Sequence, residues 1–324
     1  MSESQETATL ETPENGSSGE MQPKTDDHDN GERSVAYEPE DEDKKVVVHL
    51  VGGEIGGVGK STVSKSLIYF FQKNNKDIVV VDCDRTNQDV YSLYCNNGVL
   101  AAKQLALSDK DEREDEADNI LNWSIQYKLP VVVNLPAQVE NIIQGWIDRT
   151  IIPAMDFISD EHVNIQINHW FVSNGSPASL KIFLDSLLHY GGSIQHIFVR
   201  NTGLKDAAWN NVENSFDLTK VTSKIISLPP ARNNSAPVQI KNNFDPAPST
   251  TDASGKPILP VIQMEFPRLP PREKDKLAAQ GVTFTQALEP RPVDRKAWEL
   301  WERSRLYNFL DSANAVFTAT ELFS

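Results

Sequence analysis

Val46 to Leu67 reads VVVHLVGGEIGGVGKSTVSKSL. Its first six residues form an apolar run interrupted only by His49, the pattern of a strand buried on both faces of a parallel sheet. From Ser61 to Gln72 the spacing turns helical, with Val63, Leu67, Phe70 and Phe71 recurring on one side. Between strand and helix lies a glycine-rich turn, and that order is what a phosphate-binding loop requires. Gly56, Gly57 and Gly59, with Val58 among them, can turn backbone N–H groups inward in conformations that a Cβ obstructs. The start of the helix adds unpaired amides and a partial positive charge. Lys60 can reach the β- and γ-phosphates, and Ser61 can place its hydroxyl on Mg²⁺. The usual pattern has its first glycine five residues before Gly59, where this chain carries Glu54.

Working outward, Ile78 to Val81 reads as a second strand and Leu129 to Val133 as a third. Ile165 to Val172 and Ile194 to Val199 read as two more, with the helix Ala178 to His189 between them. Ile225 to Leu228 is a short sixth strand, stopped by Pro229 and Pro230. Strands alternating with helices predict an α/β fold, a mostly parallel sheet with helices on both faces, as in a P-loop NTPase. The acidic stretch Asp109 to Asp118 suits a surface. Residues 231–258, rich in Asn, Pro, Ser and Thr, read as a long surface loop. The stretch Pro270 to Ala287 and a helix over 294–317 close the predicted domain, which spans 45–317. Trp298, Trp301, Leu306, Phe309, Leu310 and Ala313 fall on one half of that helix, expected to pack on the core. There is no internal repeat.

The net charge of -15 is unevenly spread, because residues 1–44 hold 14 acidic and 3 basic side chains. With almost nothing large and apolar, this acidic tail is expected to be disordered. Cys83 and Cys95 make no disulfide framework or metal site. No apolar run of 18 residues exists and the N-terminus lacks the layout of a signal peptide, so a protein of the cytoplasm with no membrane span is expected. Residues 259–311 carry 9 basic and 8 acidic side chains, too even a balance for a nucleic-acid footprint, so direct DNA binding is not expected.

GGEIGGVGKS resembles the variant P-loop of the ParA/MinD group of ATPases. Together with VVVDCDR, VVVNLPAQ, HWFVSNG and HIFVRNTGL it is most similar to the MobD-like mobilization proteins of bacterial plasmids. The resemblance runs over roughly residues 46–204. It implies ATP and Mg²⁺ as cofactors, a nucleotide-dependent switch acting in plasmid mobilization or partition, a possible homodimer around two nucleotides, and conjugation or partition proteins as partners. It also implies phosphate and Mg²⁺ contacts for Gly57, Gly59, Lys60, Ser61 and Thr62. Asp82 and Asp84 match the paired acids near Mg²⁺ and the attacking water, with Asp82 at the metal and Asp84 beside Lys60 in the catalytic role. Asn201 matches the amide that reads the adenine edge, its alternative being a turn residue bonded to its own backbone. Two positions depart from the group. Ile55 replaces the signature lysine that reaches a partner's phosphates, and Asn134 replaces the third-strand acid that holds an Mg²⁺-bound water. Nucleotide binding with slow hydrolysis is therefore expected, with a nucleotide-binding scaffold that lacks turnover as the alternative.

Overall fold

The computed structural model describes residues 44–107, 111–157, 163–204, 209, 222–229, 237–242, 261–290 and 298–323. They lie within one compact unit, Asp41–Ser324. The acidic tail is outside the described residues except for Lys44, which opens the first strand.

The strands are β1 (Lys44–Gly52), β2 (Val79–Asp82), β3 (Ala101–Gln104), β4 (Val131–Asn134), β5 (Val163–Ser173), β6 (Gln195–Asn201), β7 (Thr222–Ser227), β8 (Gln239–Asn242) and β9 (Val261–Phe266). Around them run α1 (Lys60–Lys73), α2 (Asp89–Tyr94), α3 (Asn119–Tyr127), α4 (Glu140–Trp146), α5 (Ile152–Phe157), α6 (Pro177–Tyr190), α7 (Pro271–Gln280), α8 (Phe284–Leu288) and α9 (Leu300–Thr320). A π turn, Ile147–Ile151, carries α4 directly into α5. The strands make one sheet in the order β3-β2-β4-β1-β5-β6-β9-β7-β8. Neighbours are parallel except β7 and β8. The expected α/β architecture, a mostly parallel sheet between helical layers, is the one observed.

Burial on both faces explains why the inner strands read as unbroken apolar runs. Along β1, Val46, Val48 and Leu50 pack with Ile120, Leu121 and Ile143 of α3 and α4. Val51 points the other way, into a core shared with Val63 and Leu67 of α1 and with Leu306, Phe309 and Phe317 of α9. Farther along, Phe183 and Leu187 of α6 cover Phe171 and Phe198 of β5 and β6.

The sheet has nine strands among the described residues, not six. β3 was not foreseen because Ala101-Ala-Lys-Gln104 has neither β-branched residues nor alternation, and its place is set by pairing with β2. β8 falls inside the stretch read as a loop. All four of its residues are exposed, as an edge strand allows, so composition alone resembles a loop. β9 is inserted between β6 and β7, ahead of strands that precede it in the chain.

The closing helix also differs. Residues 291–297 lie outside the described set, and α9 continues to Thr320. Leu306, Phe309, Leu310 and Ala313 are buried as expected, but Trp301 is 66% exposed. Glu302 takes the inward position instead, bonded by Lys276 and paired with Arg272 of α7. Trp298 precedes the helix, half-buried, and its Nε1–H donates to Gln280.

Candidate functional site

At the C-terminal end of β1 the chain leaves the sheet through Gly52-Gly53-Glu54-Ile55 and enters α1 at Lys60. Gly53 has φ 143, and a Cβ there would overlap the Val172 carbonyl. Gly57 and Gly59 hold φ 78 and 102, the left-handed region that disfavours side chains. Gly59 is also the N-cap of α1 and provides no side-chain cap; the Thr62 N–H donates to the Gly59 carbonyl, which leaves the amides before it for another acceptor. Nothing lies within 4 Å of a Cβ built on Gly56 or Gly57, so the loop faces open space there. An accessible glycine-rich loop at the start of a helix can take a polyphosphate.

Lys60 is nearly buried, and its Nζ donates to the Ile55 carbonyl at 3.1 Å, arched back over the loop. Burial pulls the ammonium pKa below the ordinary lysine value, against the Asp84 and Glu54 carboxylates that hold it up. Ile55 packs its side chain, half-buried, against the apolar core beside α1. Glu54 is raised above the ordinary glutamate pKa by burial and by Glu140. Its carbonyl accepts from the Gln138 N–H at 3.3 Å. The phosphate loop is thus clasped to the turn between β4 and α4, where Gln138 itself holds φ 59.

The acids at the end of β2 divide their tasks. The Asp82 carboxylate is buried and fully engaged: Oδ1 accepts from the Asp84 N–H and from Asn134 Nδ2, and Oδ2 from the Val90 and Tyr91 N–H groups. Burial raises its pKa, while those donors oppose the rise. Asn134 in turn accepts from Ser64 Oγ at 3.0 Å. Asp84 is half-buried; its Oδ1 accepts from the Thr86 and Asn87 N–H groups. A divalent cation on a bound nucleotide needs oxygen ligands with free lone pairs. Ser61 and Asp84 fit that need, whereas the four donors on Asp82 occupy the lone pairs it would offer.

Asn201 ends β6 against the same loop. Its Nδ2 donates to the Val58 carbonyl at 2.7 Å and its Oδ1 accepts from the Gly203 N–H at 2.9 Å. Both ends of the amide therefore brace the turn and the loop, close to the alternative of a turn residue bonded to its own backbone. Beside Thr62 a cavity of about 390 Å³ opens, walled by Leu93, Leu269, Leu277 and Phe284 and edged by Lys65 and Asn87. Its size and apolar walls suit a flat heterocycle with a few polar contacts at the rim.

The structure thus gathers residues 56–62, Asp82, Asp84, Asn134 and Asn201 at one end of the central strands. Sequence reasoning missed Ser64 and the clasp made by Glu54. A small hydroxyl one turn after Ser61, aimed back at the strands, was the available signal for Ser64.

No protein-family model matches the chain. A curated relative, Protein MobD from Acidithiobacillus ferrooxidans, is 34% identical over 47 residues. The match spans 14% of this chain and 21% of the length of that relative. Among solved structures, the nucleotide-binding protein in complex with ADP from Archaeoglobus fulgidus is similar at a TM-score of 0.40 and 13% identity. That likeness covers 76% of this chain and 90% of the other, and it is too distant to transfer anything from one to the other.

Proposed function

We propose that the chain binds a nucleoside triphosphate, ATP with Mg²⁺, on the loop 56–62, and acts as a nucleotide-dependent switch in plasmid mobilization or partition. The observation that carries the reading is the loop itself: left-handed glycines at 57 and 59, open space around 56 and 57, no side-chain cap on the helix that follows, and Lys60 arched over the loop. Lys60 trades the Ile55 carbonyl for β- and γ-phosphate oxygens. Ser61 and Asp84 hold the cation, which neutralises phosphate charge when bound. The base lies toward the cavity beside Thr62, with Asn201 bracing the loop from behind.

The role in mobilization or partition is supported by the ParA/MinD-like segments and by the short match to Protein MobD. Hydrolysis is slow in this reading. Ile55 can offer no charge to the transferring phosphoryl group, and Asn134 is a neutral amide already bonded to Asp82. The same two residues favour the second reading, a nucleotide-binding scaffold without turnover that works through partner contacts.

Titrating the purified protein with ATP and ADP, with and without Mg²⁺, tests binding, and phosphate release separates the two readings. Saturable, Mg²⁺-strengthened binding with slow turnover is expected. Absence of binding refutes the proposal, and binding with no release favours the scaffold.

A further inference from the structure

The amide at the end of β4 stands where an acid would complete a metal-binding set, and its surroundings give it a different task. In the sheet Asn134 sits level with Asp82 on one side and with Val51 on the other. Both polar residues are buried, at 1% exposure each. Asn134 Nδ2 donates to Asp82 Oδ1 at 3.0 Å, and Asn134 Oδ1 accepts from Ser64 Oγ at 3.0 Å. An amide supplies one donor and one acceptor in the required directions. A carboxylate supplies acceptors only, so aspartate at 134 would set two anionic oxygens against each other in a dry space.

The Asp82 end of the chain explains why the bond matters. An ionised carboxylate offers about four lone-pair sites. Those of Asp82 receive Asn134 Nδ2 and the Asp84, Val90 and Tyr91 N–H groups, the last two from the first turn of α2. The carboxylate therefore pins both ends of the loop that carries Asp84. Oδ2 of Asp84 makes no hydrogen bond among the described residues, and Lys60 feels its charge.

We propose that Asn134 is a positioning residue. Its amide bridges Ser64 of α1 to Asp82 of β2, fixes the Asp82-anchored loop against the phosphate loop, and leaves Asp84 as the acid offered to the divalent cation of a bound nucleotide. The cation half of this proposal rests on the nucleotide reading above; the bridge does not.

The test uses the full chain and four variants: Asn134→Asp, Asp82→Asn, Asp84→Asn and Ser64→Ala. Two readouts are taken, the thermal midpoint and the affinity for fluorescent ADP with and without Mg²⁺. Asn134→Asp should lower the midpoint by several degrees and leave the Mg²⁺ gain no larger than in the wild type. Ser64→Ala removes the donor to Asn134 Oδ1 and should also lower the midpoint, by less than Asn134→Asp. Asp84→Asn should keep the midpoint and lose about tenfold of the Mg²⁺-dependent affinity.

An Asn134→Asp protein with an unchanged midpoint and stronger Mg²⁺-dependent binding overturns the proposal, because position 134 then serves the metal. An Asp82→Asn protein that keeps its midpoint but loses the Mg²⁺ gain overturns it by assigning the cation to Asp82. Should Asn134→Asp fail to fold, Ser64→Ala decides the bridge: a lowered midpoint supports it and an unchanged one overturns it. If the wild type binds no nucleotide, the nucleotide reading and the cation half fall together, while the midpoints still decide the bridge.

Discussion

Lys60 keeps its ammonium in a nearly closed space with a single loop carbonyl as its hydrogen-bond partner among the described residues. Charged hydrogen bonds contribute ~1.5–3 kcal/mol each, so Lys60→Ala should weaken nucleotide binding by at least tenfold. The fold should survive, since the variant removes a charge whose burial is unfavourable. Calorimetric titration alongside a melting curve checks both halves, and unchanged affinity in a folded variant refutes the loop assignment. Gly59 sets a stricter condition. At φ 102, with Asn201 Nδ2 where a Cβ would go, Gly59→Ala should cost ~1–3 kcal/mol in strain and displace the brace on Val58. Chemical denaturation should register that loss, and a variant as stable as the parent contradicts the geometry. The loop was legible in the sequence because its demands fall on residue types: only glycine enters those backbone regions freely. The tasks of Asp82 and Asn134 were not legible. They depend on two strands lying level with each other, 52 residues apart in the chain.

Helices α7 and α9 are joined by ion pairs whose carboxylates are buried while their arginines reach solvent. Glu302 pairs with Lys276 and Arg272, and Glu273 pairs with Arg305, each glutamate no more than 2% exposed. Burial alone would raise the Glu302 pKa, but the bonds from Lys276 and the Glu299 N–H and the charge of Arg272 hold it below the ordinary value. A carboxylate depressed in the fold adds stability above its unfolded pKa of ~4.3 and loses it as pH falls through the folded value. Wild type should therefore melt above Glu302→Gln at pH 7, and the gap should close below about pH 4. A gap that does not narrow as pH falls below about 4 would show that packing, and not charge, joins the two helices. This contact also explains why the wheel over 294–317 misplaced Trp301. Hydrophobicity assigned the tryptophan inward, but Lys276 and Arg272, residues of a helix not read from the pattern, draw Glu302 in. Strands β1, β4, β5 and β6 were readable because burial on both faces leaves an apolar run. α2 to α5, β3 and β9 were not, because short elements take their identity from neighbours already in place.

Among the described residues, three histidines are buried in the sheet layer. His49 has its pKa lowered to about 3 by burial and by Lys45. Burial likewise lowers His169, against the pull of Glu140, and His196, where His169 adds to the effect. Neutral histidines must gain protons on unfolding, so the fold should lose stability as pH drops below the unfolded value of ~6.5. The midpoint should fall steadily between pH 7 and 5, a window above that of Glu302. A flat midpoint over that range would mean the histidines are charged in the fold. The sheet order carries a further consequence, one of timing. β7 and β8 are made before β9, yet they reach the rest of the sheet only through it. On the ribosome, strands β1 to β6 can pair as they emerge, whereas the β7–β8 hairpin must wait for residues 261–266 before it has a partner. During that interval β6 presents an open apolar edge, the period when a nascent chain is most open to pairing with a neighbour.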